Sequence, residues 1–276
     1  MGWHGRLQLS YRRDAERTVL HDRHDGPLRV LRSLHPEGPT VCHSVLVHPP
    51  GGIVGGDVLE IDATVGAGAH ALVTTAGATR FYRTSGDAAR QAATVRVERD
   101  ARCEWLPLET IAFSGCRAEN RVRFELAPGA EAIGWDVLAL GLPASAQPFA
   151  HGSFAQSIEL AGRWIERGVI DAVDHRLLDS PLGLAGQRAM GTLWFTAGSA
   201  LESARRSLLL DAARAVVEGD TLRSSAGVTS PQTDVVVMRV LGPAVEPVIA
   251  LMTAAWRAWR LQAWGLAATP PRVWRT

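Results

Sequence analysis

The ten residues from His48 to Asp57 hold four glycines, two prolines and one acid. Gly51, Gly52, Gly55 and Gly56 lack a Cβ and let the backbone come close to another surface, while Pro49 and Pro50 stiffen the approach. No phosphate-binding pattern fits this loop, which ends with Asp57 at the mouth of the next strand. Two more acids stand out. Asp136 lies in the apolar run from Ile133 to Leu140, where an acid is either hydrogen-bonded in the core or lines a wet cavity. Asp174 stands beside His175, and an acid in such a place is ordinarily a strand-end or turn carboxylate. Cys42 and His43 pair a thiol with a base, but neighbours on a strand point to opposite faces and cannot form a dyad. With His48 they also lack the paired spacing of a tight structural metal site. A last cluster, between Gly77 and Gly86, sets Arg80 and Arg83 around Phe81 and Tyr82. It is a weak nucleic-acid platform without a wider basic surface, and reads as an interface anchor or as an edge strand with solvated arginines.

Familiar catalytic patterns are missing from the sequence: there is no G-x-S-x-G, H-E-x-x-H, Walker loop or G-x-G-x-x-G after a strand. All 29 basic residues are arginine, which excludes Schiff-base and P-loop lysine chemistry. A net charge of +1 gives no field for nucleic acid and favours association with a partner. Three cysteines (Cys42, Cys103 and Cys116) without framework spacing fit a reducing compartment. The start of the chain carries no apolar signal core, and no apolar run reaches membrane-spanning length. A cytoplasmic protein with no membrane or nucleic-acid partner is expected. Most of the nine tryptophans should be core.

Short strands carry most of these residues. From Arg6 to about Thr196 the pattern has period two, punctuated by Gly and Pro. A weak repeat links Val65, Ala69 and His70 with Val97, Ala101 and Arg102, and with Leu126, Ala130 and Glu131. Its spacing of roughly thirty residues suits stacked sheet units, favouring strands that wind in layers over a compact sandwich. The last quarter changes period. Ser199 and Glu202 read as a capping box before a helix with Leu201, Ala204, Leu208, Ala212 and Ala215 on one face. Val235 to Val240 reads as a strand. Pro247 opens a second helix carrying Ile249, Met252, Trp256, Trp259 and Ala263, with Gly265 as its stop. The expected fold is mainly β: layered, helically wound short strands with two C-terminal α-helices. Without a linker, one domain is expected over residues 1–276, β-rich over 1–197, with two helices plus strands over 198–276.

Taken together, these stretches resemble the urease accessory protein family UreD, also called UreH. The resemblance rests on Gly2 and Trp3; Thr40, Cys42 and His43; the loop from His48 to Asp57; and Gly77 through Arg83. It continues through Glu104 to Pro107, Glu109 to Ile111, Trp135 and Asp136, His151 and Gly152, and Pro271 to Trp274. The glycine loop followed about 25 residues later by the aromatic cluster is its most specific part. The resemblance implies a nonenzymatic scaffold of layered strands and two helices that joins UreF and the GTPase UreG on apo-urease, with UreE as the nickel donor upstream. It also implies a hydrated internal passage for Ni2+ in transit and no tightly bound cofactor. The polar path positions carry over to Asp57, Thr79 and Asp136. A fourth, an acid beside an Arg, falls on Asp174 or His175, which an extra residue keeps from being separated. His48, Gly51, Gly52, Gly55, Gly56, Arg80, Phe81, Tyr82 and Arg83 carry over as motif and interface positions. The chain departs from the family's L-G-R-x-x-x-G-E-x-F, with Leu142 and Gln147 in place of the Arg and Glu, and has Leu108 where a Gln follows Trp-Leu-Pro.

Spaced carboxylates can compensate a cation's lost hydration without gripping it, as a Cys/His cage would. On that reading Asp57→Ala and Asp136→Ala spare folding and assembly but lower nickel loading. The alternative is a purely structural adaptor that holds apo-urease for its partners without touching nickel. A metal-dependent hydrolase on a β scaffold has no motif in its favour.

Overall fold

The computed structural model describes residues 2–142 and 145–275. Two sheets stack face to face. The first has seven strands in the order β15 (Trp164–Asp171), β14 (Gly152–Leu160), β11 (Cys116–Leu126), β8 (Ala89–Val97), β5 (Val58–Val65), β1 (His4–Asp14) and β2 (Arg17–Asp25). The second, with eleven, runs β17 (Ala226–Gln232), β18 (Val235–Gly242), β16 (Ala189–Ala197), β12 (Glu131–Leu142), β9 (Arg102–Trp105), β6 (His70–Thr75), β4 (Val41–Val47) and β3 (Arg29–Leu34). Its remaining members are β10 (Thr110–Ala112), which pairs with β12 and with β7 (Thr79–Phe81), and β13 (Gln147–Pro148), which pairs with β12. Leu142 and Gln147 face each other in that last pair.

The middle of the chain winds between the sheets. Strands β5, β8, β11 and β14 stack in parallel in one layer, and β4, β6, β9 and β12 do so in the other. Parallel neighbours need a crossover, and here each crossover passes through the opposite sheet. The weak repeat is this winding. Val65 pairs with Val97 and Val97 with Leu126, while His70 pairs with Arg102 and Arg102 with Glu131.

Alternation explains the outer layer. In β1, Gly5, Leu7, Leu9 and Tyr11 are buried between the sheets and the residues between them face outward. Strand β12 is different: its residues from Ala132 to Gly141 are all buried, because its second face lies under helices. Those helices are α2 (Ser203–Glu218) and α3 (Val245–Trp264); a short third, α1 (His175–Asp179), precedes β16. Leu138, Leu140 and Trp194 join the core between the sheets, whereas Ile133, Trp135 and Phe195 pack toward α3 with Met252, Trp256 and Trp259.

The two C-terminal helices are present, with one detail corrected. Glu202 occupies the N-cap of α2 without a side-chain cap, and the Ser199 hydroxyl accepts the Gly129 N–H at 3.3 Å. The helix therefore begins later than a Ser199 cap requires, and its buried stripe is Leu209, Ala213 and Val217. Leu208 and Ala212, expected inside, lie one residue off that stripe. In α3 the expected Met252, Trp256 and Trp259 are buried, and Gly265 ends the helix at φ 64° with its N–H on Leu261. Six tryptophans are buried, and Trp3 is exposed.

Adjacent Cys42 and His43 do point apart. Cys42 belongs to the core between the sheets, and His43 turns toward α3, where its Nε2 lies 2.6 Å from Glu37 Oε1. There a buried charged group forms. Arg260 binds Glu37 at 2.6 Å and approaches Glu104 at 3.3 Å, while Glu104 also meets His70 at 2.7 Å and accepts the Trp256 indole N–H at 2.6 Å.

Candidate functional site

Three inward positions break the apolar pattern of the first sheet at one level. Gln91 on β8, Asn120 on β11 and Gln156 on β14 pair directly across their parallel strands. Their amides form a file: Gln91 Nε2 donates to Asn120 Oδ1 at 3.3 Å, and Asn120 Nδ2 donates to Asp136 Oδ2 at 3.0 Å. Gln156 Nε2 donates to the other oxygen, Asp136 Oδ1. Asp136 reaches this file from β12 in the opposite sheet and is 7% exposed. Burial pushes its carboxyl up to about 7, with the negative charge of Glu166 adding to the rise and the Gln156 hydrogen bond opposing it.

The polar line continues across the second sheet. Thr192 on β16 lies directly opposite Asp136, and Arg239 on β18 directly opposite Thr192. Thr192 Oγ1 donates to Glu166 Oε1 at 2.9 Å, and the Arg239 guanidinium binds Glu166 Oε2. Glu166 stands on β15 at the edge of the first sheet, so both layers converge on it.

Two cavities border this polar group. One, of about 280 Å³, is lined by His48, Gly51, Gly52, Thr79, Arg80 and Asp136, among others. The other, of about 440 Å³ and more open, is lined by Gln156, Glu166, Thr192 and Arg239, among others. The hydrogen bond between Asp136 and Gln156 thus runs from a wall of the first cavity to a wall of the second. Leu108 also lines the first cavity, an apolar side chain where a polar one was expected.

The glycine loop and the aromatic cluster form one body at the rim of the first cavity. A Cβ on Gly52 would overlap the Tyr82 ring at Cε2, and one on Gly55 would overlap Thr84 Oγ1. Backbone bonds fix the approach: Ile53 N donates to Arg80 O at 2.7 Å and Tyr82 N to Ile53 O at 2.9 Å. Gly51 and Gly56 turn the loop at φ 77° and 85°. Phe81 is buried edge-on against Phe154, and Tyr82 tilts against Phe113. Arg80 and Arg83 are exposed, and the Arg83 stem lies over Gly115.

Asp136 and Thr79 therefore share a cavity, and the other expected path residues stand elsewhere. Asp57 lines neither cavity. Its two oxygens accept the backbone N–H groups of Trp3 at 2.8 Å and Val54 at 3.0 Å, and its charge is felt at His48. Burial lowers the proton affinity of that imidazole, and Asp57 opposes the fall. Asp174 caps α1, accepting the Leu177 N–H at 2.9 Å. The His175 side chain is 80% exposed, beside Asp179. Neither lines either cavity. The acid that faces Asp136 is Glu166, which Arg167 follows in sequence. Its signal was a charge at an inward position of β15, between Trp164 and Gly168. Gln91, Asn120 and Gln156 carried a similar one, as polar residues at matching levels of three successive turns.

All three cysteines are buried and free. Burial pushes the thiols up, that of Cys116 to about 11, so they are protonated and poor nucleophiles at neutral pH. Among the described residues no group of three His, Cys, Asp or Glu side chains is arranged to hold a metal ion. No helix among them is long and apolar enough to cross a membrane.

The family model described as UreD urease accessory protein matches residues 4–275. A relative from Albidiferax ferrireducens named urease accessory protein UreD is 61% identical over 274 residues, 99% of each chain. Relatives of the same name from Leptothrix cholodnii and Variovorax paradoxus are 56% and 54% identical, with both chains covered in full. With a match over nearly its whole length to that family, the chain belongs to the UreD urease accessory proteins.

Proposed function

We propose that this protein serves urease maturation as a nonenzymatic conduit, passing Ni2+ between its sheets while it is assembled with UreF, UreG and apo-urease in the cytoplasm. The observation that carries this reading is the polar file through Asp136, which joins the walls of two cavities across an otherwise apolar core.

A dication moving into protein must find oxygen ligands and charge in place of water. Asp136, with a carboxyl near 7, is partly protonated at neutral pH. An arriving cation takes the carboxylate by displacing a proton, and the proton returns as the cation leaves. The amide oxygens of Asn120 and Gln156 can turn toward the ion and supply neutral ligands. One acid among amides holds Ni2+ loosely compared with a Cys/His cage, which suits transit. UreE would supply nickel upstream, UreG the GTP-driven step, and urease the final site.

The test is urease activation in cells that co-express the chain with UreF, UreG and apo-urease. Asp136→Ala should leave capture of the complex unchanged and lower the nickel content and activity of the urease. Undiminished nickel loading by an intact complex would refute the conduit and leave the structural adaptor.

A further inference from the structure

We infer that Arg239 is the built-in counter-ion that keeps the carboxylates of Asp136 and Glu166 from trapping a divalent cation. The inference rests on the conduit reading and adds the residue that sets how tightly the cargo is held.

Three neighbouring strands place the groups in one line. Asp136, Thr192 and Arg239 are consecutive cross-strand partners on β12, β16 and β18, and Glu166 meets that line from the other sheet. One Glu166 oxygen takes the Thr192 hydroxyl and the other takes the Arg239 guanidinium. The guanidinium also lies 5.5 Å over the ring of Trp164, two residues before Glu166 on the same face of β15. An acid in front and an aromatic face beneath give Arg239 a defined seat at the wall of the second cavity.

Two carboxylates between the sheets, without a cation of their own, would hold a dication strongly, because the low-dielectric interior raises the attraction. Arg239 changes that balance. An ion reaching Glu166 must compete with a guanidinium already bound there, and when the ion departs the guanidinium reoccupies the carboxylate. Entry to and exit from the Glu166 end then become an exchange of cations with small net change in charge. The arrangement favours passage over storage. Replacing Arg239 by a neutral residue frees Glu166 and converts the passage into a trap.

The experiment is equilibrium titration of the full-length chain with NiCl2, against a competing chelator, for wild type, Arg239→Gln and Arg239→Gln/Glu166→Gln. Arg239→Gln should raise Ni2+ affinity about tenfold, and the added Glu166→Gln should cancel the gain. The Arg239 side chain is about half exposed, so the fold should tolerate the change. Arg239→Met, which keeps an apolar stem over Trp164, tests the same loss of charge should the Gln variant not fold. Affinity within twofold of wild type in the folded charge-loss variant, or a gain that survives Glu166→Gln, would overturn the inference. The conduit itself is judged separately: lowered activation by Asp136→Ala together with unchanged affinity in Arg239→Gln would remove the counter-ion role and leave the conduit standing.

Discussion

The Asp57 carboxylate binds the backbone N–H of Trp3 through one oxygen and that of Val54 through the other. Trp3 O in turn accepts the Val58 N–H at 2.8 Å. One side chain thus ties the start of the chain to the glycine loop and to the opening of β5. On the sequence alone Asp57→Ala spares folding, but this geometry gives another outcome. Losing a charge-assisted acceptor for two amides should cost about 1–3 kcal/mol. Denaturant unfolding should show a lowered midpoint for Asp57→Ala and a smaller loss for Asp57→Asn, which keeps one acceptor oxygen. Unchanged midpoints would return Asp57 to a role in the path.

Asp136 makes a pH prediction with a definite sign. Its folded-state carboxyl is raised to about 7 from the ordinary value of 3.8, so over that interval the folded chain holds a proton that the unfolded chain has released. Its unfavourable effect is absent below pH 3.8, grows as pH rises, and is complete above 7. A shift of this size corresponds to at most roughly 4 kcal/mol. Asp136→Asn removes the titration. The variant should match wild type only below pH 3.8 and exceed it in stability at pH 8, read as a flatter midpoint-against-pH curve. Parallel curves would show that the carboxyl titrates as in the unfolded chain.

The winding of the chain was legible because equivalent small and apolar residues recur at Val65, Val97 and Leu126, one per turn. The acid in an apolar run, Asp136, was legible because burial of a carboxylate demands partners. Those partners were not, since Gln91, Asn120 and Gln156 become neighbours only once the strands are in register. Glu166 was hidden similarly: its strand β15 has exposed apolar residues at Ile165 and Val169, which blurs the inward side. The start of α2 was misplaced because Ser199 serves the Gly129 amide and not the helix.

Gly52 and Tyr82 should behave as a coupled pair. A methyl group at residue 52 collides with the ring, and the ring also packs on Phe113, 4.7 Å away between centroids. Gly52→Ala should therefore cost about 1–3 kcal/mol. In a double-mutant cycle, much of that loss should vanish in the background of Tyr82→Ala, where the space is open. Additive losses would mean that the loop approaches the ring less closely than this.

Arg260 and Glu37 lie 223 positions apart in sequence and join α3 to the segment before β4. Arg260 stands between two buried acids, Glu37 and Glu104. Burial pushes the Glu37 carboxyl up, but the hydrogen bonds from His43 and Arg260 and the charge of Arg260 outweigh it and hold the group below its ordinary value of 4.5. The stability this supplies is present above pH 4.5 and lost as pH falls through the lowered value. Arg260→Met leaves both acids without their cation, and breaking a buried pair from one side costs about 3–5 kcal/mol. Glu37→Gln should cost less, because Arg260 keeps Glu104. Thermal unfolding at pH 7 should rank wild type above Glu37→Gln and Glu37→Gln above Arg260→Met. Glu37→Gln should also lose less stability than wild type on acidification below pH 4.5. A reversed order of the two variants would show that Arg260 is not the counter-ion of both acids.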